Sequence, residues 1–113
     1  MPSQAIDFEV VRSIAMALPD VKEASGSRGA ALKIRGRMLA CEAIHKSAEP
    51  NSIMVRIPIK RRDELLGQDA ETYYLTDHYA PYPAILVRLR RAKRPSLKKL
   101  LAEAWEFVRA EAR

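Results

Sequence analysis

The chain has 113 residues, enough for one domain that buries roughly two-thirds of the surface its unfolded form exposes. Apolar residues make up 48% and charged residues 30%, which supports a packed core and excludes a disordered chain. Twenty basic residues against fourteen acidic give +6, a balance that favours acidic partners such as nucleic acid.

Cys41 is the single cysteine, which excludes an intrachain disulfide and suits a reducing compartment. No apolar run approaches the roughly 20 residues needed to cross a bilayer. The first residues, Met1-Pro2-Ser3-Gln4, lack the basic head and apolar stretch of a secretory leader. The expectation is one domain over residues 1–113, cytoplasmic and without a membrane partner.

Asp7 is placed to cap a helix over residues 8–18, where Phe8, Val11, Ile14, Ala15 and Leu18 share one face. Pro19-Asp20 ends it, and Ala24-Ser25-Gly26-Ser27-Arg28-Gly29 reads as a loop of small residues. Strand-like segments follow at residues 31–34, 38–44 and 52–59. The first two join at Arg35-Gly36, a short hairpin signal in which glycine accepts a positive φ. A polar loop over 46–51 joins the second to the third.

Residues 60–68 read as a short helix with Leu65 and Leu66 as its apolar contacts, and 73–75 as a brief strand. A turn region over 76–83 precedes the final strand at 84–90. Pro95-Ser96 opens the last helix, with Ser96 as its cap and Leu97, Leu100, Leu101, Ala104, Trp105 and Val108 as its apolar stripe. Helices at the two ends with strands between them predict an α+β fold. Its antiparallel sheet carries the N- and C-terminal helices on one face.

Strand alternation then sorts the charge. Ile53, Val55, Ile57 and Ile59 share one face of their strand, opposite Met54 and Arg56. Ile85, Val87 and Leu89 lie opposite Leu86, Arg88 and Arg90, and Leu32 and Ile34 lie opposite Lys33. If the apolar sides meet the helices, Lys33, Arg56, Arg88 and Arg90 gather on the open face, with Arg35 and Arg37 at the hairpin tip. Residues 88–99 add seven basic side chains and no acidic one, while 63–77 hold five acidic and no basic one. Such a surface steers a polyanion, although open sheet faces also carry Lys and Arg for solubility.

The run Tyr73-Tyr74-Leu75-Thr76-Asp77-His78-Tyr79-Ala80-Pro81-Tyr82-Pro83-Ala84-Ile85-Leu86-Val87-Arg88-Leu89 resembles the MmcQ/YjbR family. The similarity extends to Phe8-Glu9-Val10-Val11-Arg12, to Lys33-Ile34-Arg35-Gly36-Arg37-Met38-Leu39-Ala40, and into the last helix. Its most specific part is the His-Tyr-x-x-Tyr-Pro element at residues 78–83. The resemblance implies a frataxin-like layout of an antiparallel sheet backed by helices. It also implies no defined enzymatic activity, and a DNA-binding label that rests on two β-hairpins proposed as a double wing. The segment 25–30 departs from the family by lacking an aromatic residue.

For chemistry, His78 sits in a turn with Asp77, Tyr79 and Tyr82, a cluster suited to acid–base work or to locking the turn. No recognisable motif places a nucleophile beside it, so no enzyme is expected. Cys41 and His45 are too few for a zinc site, and the four glycines form no phosphate or dinucleotide loop, so no metal or cofactor is expected. The leading expectation is weak, salt-dependent binding of DNA or RNA through Lys33, Arg35, Arg37, Arg56, Arg88 and Arg90, with the tips at Arg35-Gly36 and Lys46 as wings. The alternative is a small-molecule or protein-binding adaptor with a pocket near His78, Tyr79 and Tyr82.

Overall fold

Asp7 accepts a hydrogen bond from the Val10 backbone N–H at 3.3 Å, and helix α1 (Phe8–Met16) starts from that cap. The computed structural model describes residues 6–26 and 29–111. After α1 come strands β1 (Val21–Gly26), β2 (Gly29–Ile34), β3 (Arg37–Glu42) and β4 (Ser52–Arg56), then helix α2 (Ile59–Gln68). Two more strands, β5 (Tyr73–Tyr74) and β6 (Ala84–Arg88), lead to the long helix α3 (Arg94–Glu111). The strands form one sheet in the order β1-β2-β3-β4-β6-β5, with every neighbouring pair antiparallel.

Alternation decides which face is covered. Leu32 and Ile34 of β2, Ile53 and Val55 of β4, and Ile85 and Val87 of β6 are almost fully buried. They share one core with Val11 and Ala15 of α1 and Leu97, Leu100, Leu101, Ala104 and Val108 of α3. A register shift between Leu32 and Lys33 opposes Leu32 to Ala40 and Lys33 to Met38. That bulge buries the consecutive residues Leu39 and Ala40 while Lys33 keeps to the opposite face. Helix α2 adds Leu65 to the core and is tied to α3 by Arg61, whose Nε lies 3.1 Å from Glu103.

Several boundaries differ from the sequence reading. The segment 24–29, read as a loop, supplies the end of β1 and the start of β2, and Ser27 and Arg28 lie outside the described residues. β1 is held by its pairing with β2, by Val21 in the core, and by Glu23, which accepts two hydrogen bonds from Arg12 of α1 at 2.7 and 2.8 Å. Pro58 stops β4, so Ile59 enters the first turn of α2 and is 46% exposed instead of joining the core face. Helix α3 begins at Arg94, which puts Ser96 inside its first turn and not at the cap. At Arg35-Gly36 both residues have positive φ, 51° and 82°, the geometry of a two-residue type I′ hairpin turn.

Trp105 packs against the core from the side of α3 and donates its indole N–H to the Pro19 carbonyl at 2.8 Å, holding the α1–β1 connection. Among the described residues no helix is long and apolar enough to cross a membrane. Leu101 is fully buried between α3 and the sheet core. Substituting it with Ala should lower the unfolding free energy by about 2–5 kcal/mol in denaturant titration.

Candidate functional site

The face opposite the helices is divided by two loops. Across it runs one row of register partners: Ala24, Ala31, Cys41, Met54, Leu86 and Tyr74. Over β4, β6 and β5 this row is closed, and Leu86 is 0% exposed on a face that alternation alone leaves open. The closure is fastened by Arg88. Its guanidinium binds Glu49 at 2.6–3.0 Å, donates to the Ala70 and Glu71 carbonyls at 3.1 Å each, and lies 4.2 Å from the Tyr74 ring centroid. The Tyr74 hydroxyl in turn accepts the Glu49 backbone N–H at 2.8 Å and sits 2.7 Å from Ser52 Oγ.

Over β1, β2 and β3 the face stays uncovered and forms a groove of about 970 Å³. Ala24, Ala31, Met38 and Cys41 make its floor, and His45, Lys46, His78 and Tyr79 make one wall. The wall is an aromatic assembly joining the β3–β4 and β5–β6 loops. The His45 and His78 rings stack with centroids 3.6 Å apart and an interplanar angle of 6°, and Tyr79 stands edge-on to His78 at 4.8 Å. His45 Nδ1 accepts the Ser47 backbone N–H at 3.1 Å, and Ser47 Oγ lies 2.9 Å from Thr76 Oγ1, a second tie between the two loops. Partial burial, then the neighbouring His78 and Lys46, hold the His45 imidazole below its ordinary range, so it stays neutral near pH 7.

A second hollow of about 500 Å³ adjoins this groove and shares Ala24 and Lys33 with it, and is bordered by Asp20, Lys22 and Arg35. Lys33 therefore stands at the junction. Its direct register partner is Lys22, so two ammonium groups face each other across β1 and β2. Neither is in an ion pair among the described residues, and like charges so placed cost up to about 1 kcal/mol.

The six predicted phosphate contacts do not gather on one surface. Lys33, Arg35 and Arg37 are close, around β2, β3 and their turn. Arg88 is three strand spacings from Lys33 across the sheet, roughly 14 Å, lies toward the opposite end of its strand, and is consumed by the clamp just described. Arg56 reaches the last turn of α3, pairing with Glu111 at 3.0 Å and lying over the Phe107 ring. Arg90 is 68% exposed but lies 3.7 Å from Glu49, beside the clamp.

The wings are corrected as well. Because neighbouring strands alternate in direction, the Arg35-Gly36 turn lies at one end of the sheet and the loop bearing Lys46 at the other. Tyr82 separates from the predicted pocket, with its side chain 57% exposed and its carbonyl accepting from Arg62 at 2.9 Å. His78 and Tyr79 do line the groove, and the sequence reading missed their partner, His45. Burial pushes the Cys41 thiol up to about 11, which makes it a poor nucleophile. Among the described residues no three His, Cys, Asp or Glu side chains are grouped to hold a metal.

No family model matches the sequence, and no curated protein does. The fold is similar to a solved structure, the Deinococcus radiodurans protein DR2400, which carries a DUF419 domain. The TM-score is 0.79 at 18% identity, over 100% of this chain and 86% of that one. At that identity the likeness concerns the fold.

Two titrations follow from the geometry. Hydrogen bonding from Arg88 depresses Glu49 below its ordinary 4.5, so its stabilisation is present above that value and is lost as pH falls through the lower folded value. Acid unfolding curves of Glu49→Gln should therefore show a smaller loss of stability between about pH 6 and pH 3 than those of the parent chain. By NMR, the His45 imidazole should titrate below 6.5, and its midpoint should rise in His78→Ala, where the neighbouring imidazole is gone.

Proposed function

We propose that this chain is a non-enzymatic nucleic-acid-binding module of the MmcQ/YjbR type. Its contact surface is the uncovered half of the sheet: Lys22 and Lys33, continued along the groove to Lys46, with Arg35 and Arg37 at the turn that ends it. The observation that carries this reading is the register pairing of Lys22 with Lys33. Two unpaired cations held face to face repel one another, and a phosphate between them turns that repulsion into attraction. Arg37 is exposed at the adjoining turn, where Arg35 also lies, 3.8 Å from Asp20 in an ion pair that is open to solvent.

A DUF419 domain shares this architecture, a likeness that concerns the fold alone. Arg56 and Arg88 leave the contact set, being neutralised by Glu111 and Glu49. The run of cations at the start of α3, including Arg94 and Lys98, is exposed on the opposite, helical layer and borders no comparable groove.

A second reading, a small-molecule or protein-binding adaptor, is favoured by the size of the groove and by His78 and Tyr79 in its wall. Fluorescence anisotropy with labelled oligonucleotides across a salt series separates the two. Lys33→Glu should weaken binding roughly tenfold and flatten the salt slope by about one unit, and Lys98→Glu, with the same change in net charge, should leave affinity within about twofold. Equal effects of the two reversals, or no binding at low salt, refute the nucleic-acid reading.

A further inference from the structure

Lys33 and Lys46 both border the groove, and its floor is made of Ala24, Ala31, Cys41 and Met38, with two glycines at the rim, Gly26 and Gly29. Gly29 has φ +86°, and a Cβ there would come within 3.2 Å of Glu42 Oε2 and 3.4 Å of Ile44 Cγ2. The rim is therefore shaped by residues that keep backbone and side chains out of the space. At about 970 Å³ the groove reaches the upper end of the 300–1,000 Å³ typical of ligand sites.

Its wall is cross-braced by stacking and hydrogen bonds within the chain. His78 is exposed, yet its ring is stacked on His45 and braced edge-on by Tyr79, and His45 is pinned through Ser47 to Thr76. A fixed, flat, solvent-facing ring beside a cation is what an unpaired base needs, because stacking is then gained without ordering the platform. Glu42 also borders the groove, beside its Gly29 rim, so one carboxylate stands there with the two lysines.

We propose that the groove is a base site for single-stranded nucleic acid, in which an unpaired base stacks on His78 while its flanking phosphates reach Lys33 and Lys46. The Glu42 carboxylate repels phosphate and accepts hydrogen bonds from exocyclic amino groups, so bases that carry one are preferred over thymine or uracil. A duplex keeps its bases inside the stack and presents nothing to this wall. The proposal rests on the nucleic-acid reading above and specifies which strand state and which bases that surface takes.

The test uses the intact chain at low salt with three fluorescent probes: a 12-nucleotide oligo-dC, an oligo-dT of the same length, and a 12-base-pair duplex. Oligo-dC should bind at least tenfold more tightly than the duplex and several-fold more tightly than oligo-dT. Glu42→Gln should narrow the difference between the two single strands. His78→Ala should weaken oligo-dC binding by about 5- to 150-fold, and His78→Phe, which keeps a flat ring, should restore most of it.

Circular dichroism of each variant checks that the fold is retained, as expected for an exposed side chain. Duplex binding equal to or tighter than that of the single strands overturns the base site, and so does an unaltered affinity in a folded His78→Ala chain. In both cases the phosphate surface still stands. Failure of all three probes to bind removes the nucleic-acid reading itself.

Discussion

Arg88 determines how much of the sheet this protein exposes. A bare arginine on an open strand face would be held by water. Here Nη1, Nη2 and Nε all donate to Glu49 or to the Ala70 and Glu71 carbonyls, and the guanidinium lies over Tyr74. These contacts draw the β3–β4 loop and the segment before β5 together across the end of β6. Leu86 is sealed beneath, and the covering stops where that loop ends. The groove over β1 to β3 is what remains. Lysine has no equivalent fork, so Arg88→Lys is not a conservative change at this position.

Much of the architecture could be read from single residues. The alternation in 53–57 and 85–89 identified the covered face, and the stripe from Leu97 to Val108 identified the helix that covers it. β1 was illegible for a physical reason: Val-Lys-Glu-Ala-Ser-Gly carries one core residue and little β-propensity, and its strand state comes from β2 beside it. Alternation also put Arg88 on the correct strand face without revealing what would meet it, and did not show that Arg56, at the end of β4, reaches α3. Their carboxylates lie 39 and 55 positions away, on a loop and on α3, and only the fold brings them near. The stacking of His45 on His78 was hidden in the same way, since 33 positions separate the two rings in sequence and both sit on loops.

The net charge of +6 also acquires a different meaning. Among the described residues every ion pair uses arginine, including Arg12 with Glu9 and Glu23, Arg61 with Glu64 and Glu103, and Arg62 with Asp63. The planar guanidinium suits such sites, because it can satisfy a carboxylate and a carbonyl together. No lysine is in an ion pair among the described residues. The residual field of the molecule is thus carried mostly by lysine, not by the arginines that the strand pattern places on the sheet face.

Solubility alone accounts for part of this but not for its placement. An edge strand benefits from a lysine that discourages pairing with another chain, and β1 is an edge, so Lys22 has that explanation. Lys33 does not, because β2 is an interior strand, already paired on both sides. A neutral residue there would satisfy the sheet equally well and would remove the repulsion with Lys22. The bulge between Leu32 and Lys33 instead keeps the ammonium on the uncovered face, at the junction of two hollows. A local cost of this kind, in a protein whose ion pairs all use arginine among the described residues, is what the proposed anion contact would offset.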